Sequence, residues 1–523
     1  MKKSLLIILI ILLQVSLYAQ TPGVSIFYEQ FSGDTREYIE YIPGNLPIII
    51  SAPHGGVKQS GATVGGVFYP DNDSSLNDRN CGTNERDDNT DILIRETQTE
   101  IFNLTGCYAH VIINNLHRSK LDPNREQNEA TCGDSDALDH WNAWHNFIDQ
   151  ASTTIETNWG KGLYIDLHGQ SHSIPRIEIG YNISASQLNS SNLNAGSIIT
   201  NSTIKNLESN NITNLSHEEL IRGINSLGEL FQNADYHPNS NFYANQNYPG
   251  CTRNGTTGYR AIPSNSDYGN SSCDDTRPFS NAYFDGNFYN NKRHGSGSGA
   301  SDGLGGGGTI DGIMTEVNRR VRDLGTYNGI VYDTRPQTLV PFAKDYAAGV
   351  LNFIDIHYND FAKFNYPSST YDISDSNPSP IIQGVSGGIF SSTSGLVIDM
   401  TTGIIDLSTS IPGDYIVTYE TGTCNYYKTT QNIEITNTTL SVTSFNRVTL
   451  KLHPNPTNGI VNYSSNAIIS KIKIYTLLGQ EINKTELNTK SASVDLSKLE
   501  KGTYLLSYFI KDKLINSKLI VKN

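Results

Sequence analysis

The sequence predicts an α/β domain built on a largely parallel sheet flanked by helices, followed by two small all-β sandwich domains. Three observations carry this. Between residue 20 and about residue 365, short apolar runs alternate with stretches of helical periodicity, the pattern of strand–helix units. Two of those runs lead into His-Gly: Leu46-Pro47-Ile48-Ile49-Ile50 before Ser51-Ala52-Pro53-His54-Gly55, and Tyr164-Ile165 before Asp166-Leu167-His168-Gly169. After Tyr366 the texture changes to short alternating segments punctuated by Gly, Pro, Asn and Asp, which reads as antiparallel strands and turns.

Within the first region strands are expected at 46–52, 109–114, 163–167 and 310–315. A helix is expected from Asp88 to Leu104, with Asp88 and Asp91 in its first turn. Another fits Asp136 to Glu156, where Leu138, Trp141, His145, Ile148 and Ala151 share a face. Ser216 and Glu219 form a capping-box pattern opening a helix through Phe231. Thr334 opens the last helix, with Pro336 in its first turn and Leu339, Phe342, Tyr346, Val350 and Phe353 facing inward. Between 237 and 309 periodicity disappears in favour of Asn, Tyr and Gly. That interval reads as a long loop, either functional or a surface insertion.

The chain opens Met1-Lys2-Lys3, continues with an apolar stretch from Leu5 to Leu13, and reaches a small residue at Ala19. Residues 1–19 therefore read as a secretory signal peptide. No later segment is apolar for long enough to span a bilayer. The net charge is −14 and the pI about 5.3. No basic face is evident, and no nucleic-acid partner is expected. Six cysteines in an exported chain favour disulfides. Cys251 and Cys273 bracket a Gly/Asn/Ser-rich loop and are the first expected pair. Cys424 lies in a different predicted domain, so one thiol is expected to stay free.

A catalytic zinc ion takes about three protein ligands and keeps one position open. His54 and His168, each beside a glycine at a strand end, supply two. A carboxylate is expected as the third, either Asp88 or Asp91, although an aspartate at a helix start also serves as a cap. His172 and Arg176 follow His168 and are expected at the substrate, with His172 alternatively a ligand. After strand 109–114 comes His117-Arg118-Ser119-Lys120-Leu121-Asp122-Pro123-Asn124-Arg125. Its arginines offer planar forks that match a carboxylate; the bland alternative is a solvated charge run. Glu316 emerges from an apolar strand, where an idle carboxylate is costly to bury. It is read as a general base acting on water in a metal-assisted hydrolysis, or else as a salt-bridge partner of Arg319 or Arg320. No Gly-x-Ser-x-Gly elbow stands on a strand-to-helix turn, so a serine hydrolase is not expected.

Together, Pro53-His54-Gly55, Asp88-Asn89-Thr90-Asp91, Leu121-Asp122-Pro123-Asn124-Arg125, Asp166-Leu167-His168-Gly169 and the Glu316 strand resemble the N-formylglutamate amidohydrolase family, within the zinc carboxypeptidase-like superfamily. The resemblance spans roughly residues 45–355. It implies a carboxypeptidase-like fold, one zinc ion, and hydrolysis of an amide next to a carboxylate. By the same resemblance His54 and His168 bind zinc with Asp88 or Asp91. It also implies that Arg118 and Arg125 hold the substrate and that Glu316 is the base; the residues themselves place Arg118 with Glu316 in the catalytic set, and Asn124, His172 and Arg176 with Arg125 at the substrate. Zinc carboxypeptidases carry a glutamate three residues after the first histidine; this chain has Val57 there.

Residues 366–440 resemble the immunoglobulin-like repeats of bacterial surface proteins. The segment 447–523 carries Pro454-Asn455-Pro456, a Leu478-Gly479 turn, Gly502-Thr503-Tyr504 and a lysine-rich end. It resembles the C-terminal sorting domain of the type IX secretion system. That implies export through the periplasm, an encounter with the type IX machinery, and a secreted or cell-surface location. The expected function is a secreted zinc hydrolase acting on an N-acyl amino acid or peptide with a free carboxylate. The alternative is a catalytically inactive surface-binding protein on a hydrolase fold.

Overall fold

Short runs rich in β-branched and apolar residues form the centre of an eight-stranded sheet, broken by a few polar residues such as Asp166, His168, Asp311 and Glu316. The computed structural model describes residues 20–28, 36–58, 76–172, 176–190, 192–232, 261–265, 283–322, 338–422, 424–438 and 448–523, with short strands at 62–64, 67–69, 325–327 and 330–332. The signal-peptide reading of residues 1–19 lies outside the described residues. The sheet contains β1 (Ile26–Phe27), β2 (Ile39–Ile42), β3 (Ile48–Ala52), β4 (His110–Asn114), β5 (Gly162–Gln170), β6 (Ile177–Gly180), β7 (Ala261–Ile262) and β8 (Ile310–Asn318). Their order is β1-β2-β4-β3-β5-β8-β6-β7. The central strands β4, β3, β5 and β8 run parallel. Beside them, β2 is antiparallel to β4 and β6 is antiparallel to β8. The sheet is therefore mixed, with a parallel centre.

Every residue of β3, β4 and β8 is buried, as expected for parallel strands covered on both faces. The principal helices are α1 (Thr90–Thr105), α2 (Ser135–Trp159), α3 (Tyr289–His294) and α4 (Leu339–His357). α1 packs on α4, and both α1 and α2 pack on the central strands. Phe342, Tyr346, Val350 and Phe353 of α4 are buried, whereas Thr334 and Pro336 lie outside the described residues.

Two strands run further than their apolar runs suggest. β5 reaches Gln170 and β8 reaches Asn318, because the two pair along their whole length. His168 and Glu316 are thereby strand residues rather than loop residues. The helix opened by Ser216 has its capping box but stops at Arg222, capped by Gly223; a second short helix spans Leu227–Gln232. The interval 237–309 is also not uniformly loop, since it contains β7 and α3.

The cysteine pairing departs from expectation. Cys81 bonds Cys132 and Cys107 bonds Cys424, so Cys424 is not free; Cys251 and Cys273 lie outside the described residues. The reason is packing. Cys107 follows the α1 C-cap Gly106, and the Cys424 loop inserts Tyr427 against Trp159 and Phe361, at ring-centroid distances of 5.3 and 5.0 Å.

That loop belongs to a small β region with strands β9 (Thr370–Asp372), β10 (Ile389–Ser392), β11 (Gly413–Glu420) and β12 (Lys428–Thr436), ordered β9-β12-β11-β10. Alternate residues Tyr415, Val417 and Tyr419 point into its core with Phe390, Ile433 and Ile435. This region and the mixed sheet form one compact unit ending at Asn437; the second unit is Thr438–Asn523. The second unit is antiparallel throughout its described strands: β13 (Leu450–His453), β14 (Ile460–Thr476), β15 (Glu481–Asp495), β16 (Gly502–Ile510) and β17 (Lys513–Lys522). Val461, Tyr463, Ile472, Ile474, Leu506 and Tyr508 fill its core. Among the described residues no helix is long and apolar enough to cross a membrane.

Candidate metal centre

The C-terminal ends of the parallel strands converge, where open α/β sheets place their ligands. His54 follows β3. Its carbonyl accepts the Asp87 backbone N–H at 3.0 Å, which folds the segment before α1 back over the strand end. Gly55 permits this approach, because a Cβ there would lie 2.3 Å from the Asp91 nitrogen. Asn89 at the α1 N-cap has φ 63°, and this turn directs Asp87 inward.

His54, Asp87 and His168 form one buried group, with a ligand atom of each lying within 4.8 Å of the others. Asp87 Oδ2 is 3.0 Å from His168 Nδ1 and 3.4 Å from His54 Nδ1. It also accepts the Gly169 N–H at 3.1 Å. Both imidazoles thus turn Nδ1 to one shared carboxylate oxygen.

Each histidine is backed by another buried carboxylate on its far side. Asp122 Oδ1 is 2.6 Å from His54 Nε2, and Asp166 Oδ2 is 2.9 Å from His168 Nε2. Asp122 in turn accepts Arg118 Nε at 2.9 Å, and Asp166 accepts Ser51 Oγ at 3.0 Å and Asn290 Nδ2 at 3.3 Å. A carboxylate at the outer nitrogen fixes the tautomer and ring orientation of a ligating histidine. His54 Nδ1 is buried with no hydrogen-bond partner among the described residues. A buried nitrogen left unsatisfied is costly, and a cation between the two Nδ1 atoms and Asp87 would satisfy it. Two imidazoles and a carboxylate are a donor set that suits zinc.

The charges follow this geometry. Burial opposes ionisation of Asp87, but the hydrogen bond with His168 and the nearby His54 imidazole hold it well below the usual carboxylate range. Burial likewise disfavours charge on His168, yet Asp166 and Asp87 outweigh it and hold the imidazole well above its ordinary value. Glu316 goes the other way. Burial, joined by the Asp87 and Glu178 charges against the opposing pull of His168, pushes it up to about 8.

These groups open into a cleft of about 420 Å³ whose lining includes Arg118, Asn124, Arg125, His172 and Glu316. Arg118 is largely engaged: its Nε and NH2 hold Asp122, and its NH1 donates to the Glu85 carbonyl at 3.1 Å. Asn124 Nδ2 lies 3.0 Å from His168 Nε2. Arg125 donates to Glu129 and to the Asn124 carbonyl, and its guanidinium sits 5.5 Å from the Phe288 ring centre. His172 Nδ1 is 2.9 Å from the buried Glu178 carboxylate, which Arg176 also contacts. Arg176 is buried behind the cleft rather than lining it.

Neither expected aspartate joins the histidines. Asp88 lines the cleft and pairs with Arg86. Asp91 sits in the first turn of α1, where burial raises its carboxyl despite Arg86 and Arg95. The carboxylate in the group is Asp87. Spacing alone does not reveal Asp122 and Asp166 as partners of the histidines, or Glu178 as the partner of His172 and Arg176. One signal was available: Asp166 precedes His168 by two on a strand, so both point to the same face.

Residues 451–522 match the family model described as the Secretion system C-terminal sorting domain. The chain carries a type IX secretion C-terminal sorting domain. The protein is accordingly secreted or held at the cell surface, and the tail implies contact with the type IX machinery. No curated protein matches the chain. Among solved structures, N-formylglutamate amidohydrolase from Ralstonia eutropha JMP134 is similar at 10% identity and TM-score 0.26, covering 60% of this chain and 96% of that one. Dimeric latent PorU from Porphyromonas gingivalis is similar at 12% identity and TM-score 0.13, covering 31% of this chain and 21% of that one. The fibronectin(III)-like modules of Clostridium thermocellum CbhA are similar at 13% identity and TM-score 0.13, covering 31% and 94%. Likenesses at these TM-scores carry no weight for fold or activity.

Proposed function

We propose that this protein is an exported, zinc-dependent hydrolase of amide bonds that lie next to a carboxylate, with N-acyl amino acids or peptides as its substrate class. The observation that carries this reading is the convergence of His54 Nδ1 and His168 Nδ1 on Asp87, each ring backed by its own buried carboxylate. The motifs of residues 45–355, which resemble the N-formylglutamate amidohydrolase family, support the same reading.

His54, His168 and Asp87 would hold the ion, which when bound supplies Lewis-acid polarisation of the scissile carbonyl. The chain's own residues do the rest. In its ionised form Glu316, buried beside His168, accepts a proton from the attacking water as the new C–O bond forms. The C–N bond then breaks, and the same carboxyl returns that proton to the leaving amine. Arg125, on the cleft wall, binds the substrate carboxylate. Arg118 acts through Asp122 and orients His54. Asn124 and His172 line the path between these groups. The signal peptide, passage through the periplasm and the domain limits 20–365, 366–440 and 447–523 belong to this proposal.

The test pairs metal analysis with hydrolysis. The purified protein should carry about one zinc ion per chain and cleave N-acyl amino acids bearing a free carboxylate, with the matching carboxamides cleaved about ten- to a hundredfold more slowly for loss of one charge-assisted contact. A zinc-free protein, or one that treats the two forms alike, would contradict it.

A further inference from the structure

The candidate centre has an aromatic wall that hydrolysis of a small acyl amide does not use. Phe284 and Phe288 line the cleft, with ring centres 6.1 Å apart. Phe284 stacks on His172 at 4.8 Å with the planes inclined by 2°. The Arg125 guanidinium lies over Phe288. Both phenylalanines remain only partly buried, although each ring leaves apolar surface against a polar cleft.

This wall is anchored rather than incidental. Glu178 is fully buried and divides its carboxylate between the two partners of the stack. Its Oε1 meets His172 Nδ1 at 2.9 Å, and its Oε2 accepts the Phe284 backbone N–H at 2.8 Å. Two residues beyond Phe288, the Asn290 backbone N–H donates to Asn124 Oδ1 at 2.9 Å, and the Asn290 side chain reaches Asp166 at 3.3 Å. The segment bearing the phenylalanines is therefore keyed to the two residues that contact His168 Nε2. Gly286, between the rings, has φ 79° and lies so close to Gly180 that a Cβ would meet its carbonyl carbon at 2.5 Å. The chain passes tightly against β6 and delivers the rings to the cleft.

We propose that Phe284, Phe288, His172 and Arg125 form a subsite for a planar aromatic group of the substrate, placed beside the candidate metal centre and selecting aromatic over small aliphatic acyl or side-chain groups. The inference rests on the amidohydrolase reading for the identity of the neighbouring site. Rings of the wall offer edges and faces to a planar group, and the guanidinium of Arg125 adds attraction to a π-face or to a carboxylate attached to it. Glu178 is a positioning residue, since it touches the wall and not the substrate.

The experiment uses the full chain loaded with zinc and two probes with the same amide and carboxylate, N-benzoylglycine and N-acetylglycine, with binding measured by calorimetry alongside metal content. Wild type should bind the benzoyl probe about tenfold or more tightly than the acetyl probe, the equivalent of one good aromatic contact. In Phe284→Leu and, separately, Phe288→Leu, the ratio of the two affinities should fall toward one with zinc content unchanged. Two variants guard against local misfolding in either. A ratio near one in wild type, including the case where neither probe binds, overturns the subsite, as does an undiminished ratio in both variants. Preferential binding of the benzoyl probe without cleavage of any amide would sink the hydrolase reading and leave the subsite standing. Cleavage with no aromatic preference would do the reverse.

Discussion

Glu316 and His168 are direct register partners on the adjacent parallel strands β8 and β5. Register partners in a parallel pair point to the same face, so the carboxyl and the imidazole share the cleft by backbone construction. Across its other edge β8 pairs Glu316 with Glu178 of β6, which adds a like charge and favours the protonated form.

Glu316→Gln should therefore preserve fold and metal content while turnover falls by about 10²–10⁴, the usual contribution of a positioned proton acceptor. Steady-state kinetics with any substrate the wild type cleaves, beside zinc analysis, decides this. Unchanged turnover would remove Glu316 from the chemistry.

Substitution distinguishes the three aspartates Asp87, Asp88 and Asp91. Asp87→Asn should lose most bound zinc, as should His54→Ala and His168→Ala, because each removes one of about three protein ligands. Asp88→Asn and Asp91→Asn should retain it. Asp122→Asn should weaken affinity about 10- to 100-fold, the typical effect of removing a carboxylate behind a ligating histidine. Competition against a chromophoric chelator measures all of these. Retention by Asp87→Asn with loss in Asp91→Asn would invert the assignment.

Zinc affinity should rise with pH. Asp166 and Asp87 raise His168 well above its ordinary value despite burial, which favours the protonated imidazole in the metal-free protein, and a ligand nitrogen must be neutral. Binding then releases a proton. Affinity should increase by up to about tenfold per pH unit while His168 stays protonated, then level off above its pKa. The same chelator assay from pH 6 to pH 9 reads this slope, and a flat profile would count against Nδ1 ligation by His168.

Reducing the Cys81–Cys132 bond should loosen metal binding more than it lowers global stability. Arg79 and this disulfide tie the stretch before Asp87 to the segment bearing Asp122, with Arg79 donating to the Glu129 and Arg118 carbonyls. Cys81→Ser with Cys132→Ser should raise the zinc off-rate while circular dichroism stays native. An unaltered off-rate would show that Arg79 suffices.

Much of the centre was legible because periodicity locates strand ends. The apolar runs before His54, His168 and Glu316 correspond to β3, β5 and β8. Asp87 was not legible. In Asp87-Asp88-Asn89-Thr90-Asp91 the capping preference favours the later positions, whereas the left-handed turn at Asn89 and the bond from Asp87 to the His54 carbonyl select the first. Those are tertiary facts. The same holds for Glu178, whose role exists only because β6 runs antiparallel beside β8, and for Cys107, whose partner is 317 residues away.

The Cys107–Cys424 bond has a consequence for life outside the cell, where neighbouring proteases are a hazard. It closes a covalent ring that encloses most of the first compact unit, including Asp122, His168 and Glu316. A single backbone scission at any exposed point within that ring opens the loop without releasing a fragment. A clipped molecule should run at full mass in a non-reducing gel and separate into two pieces only after thiol treatment, so nicking need not amount to loss of the protein.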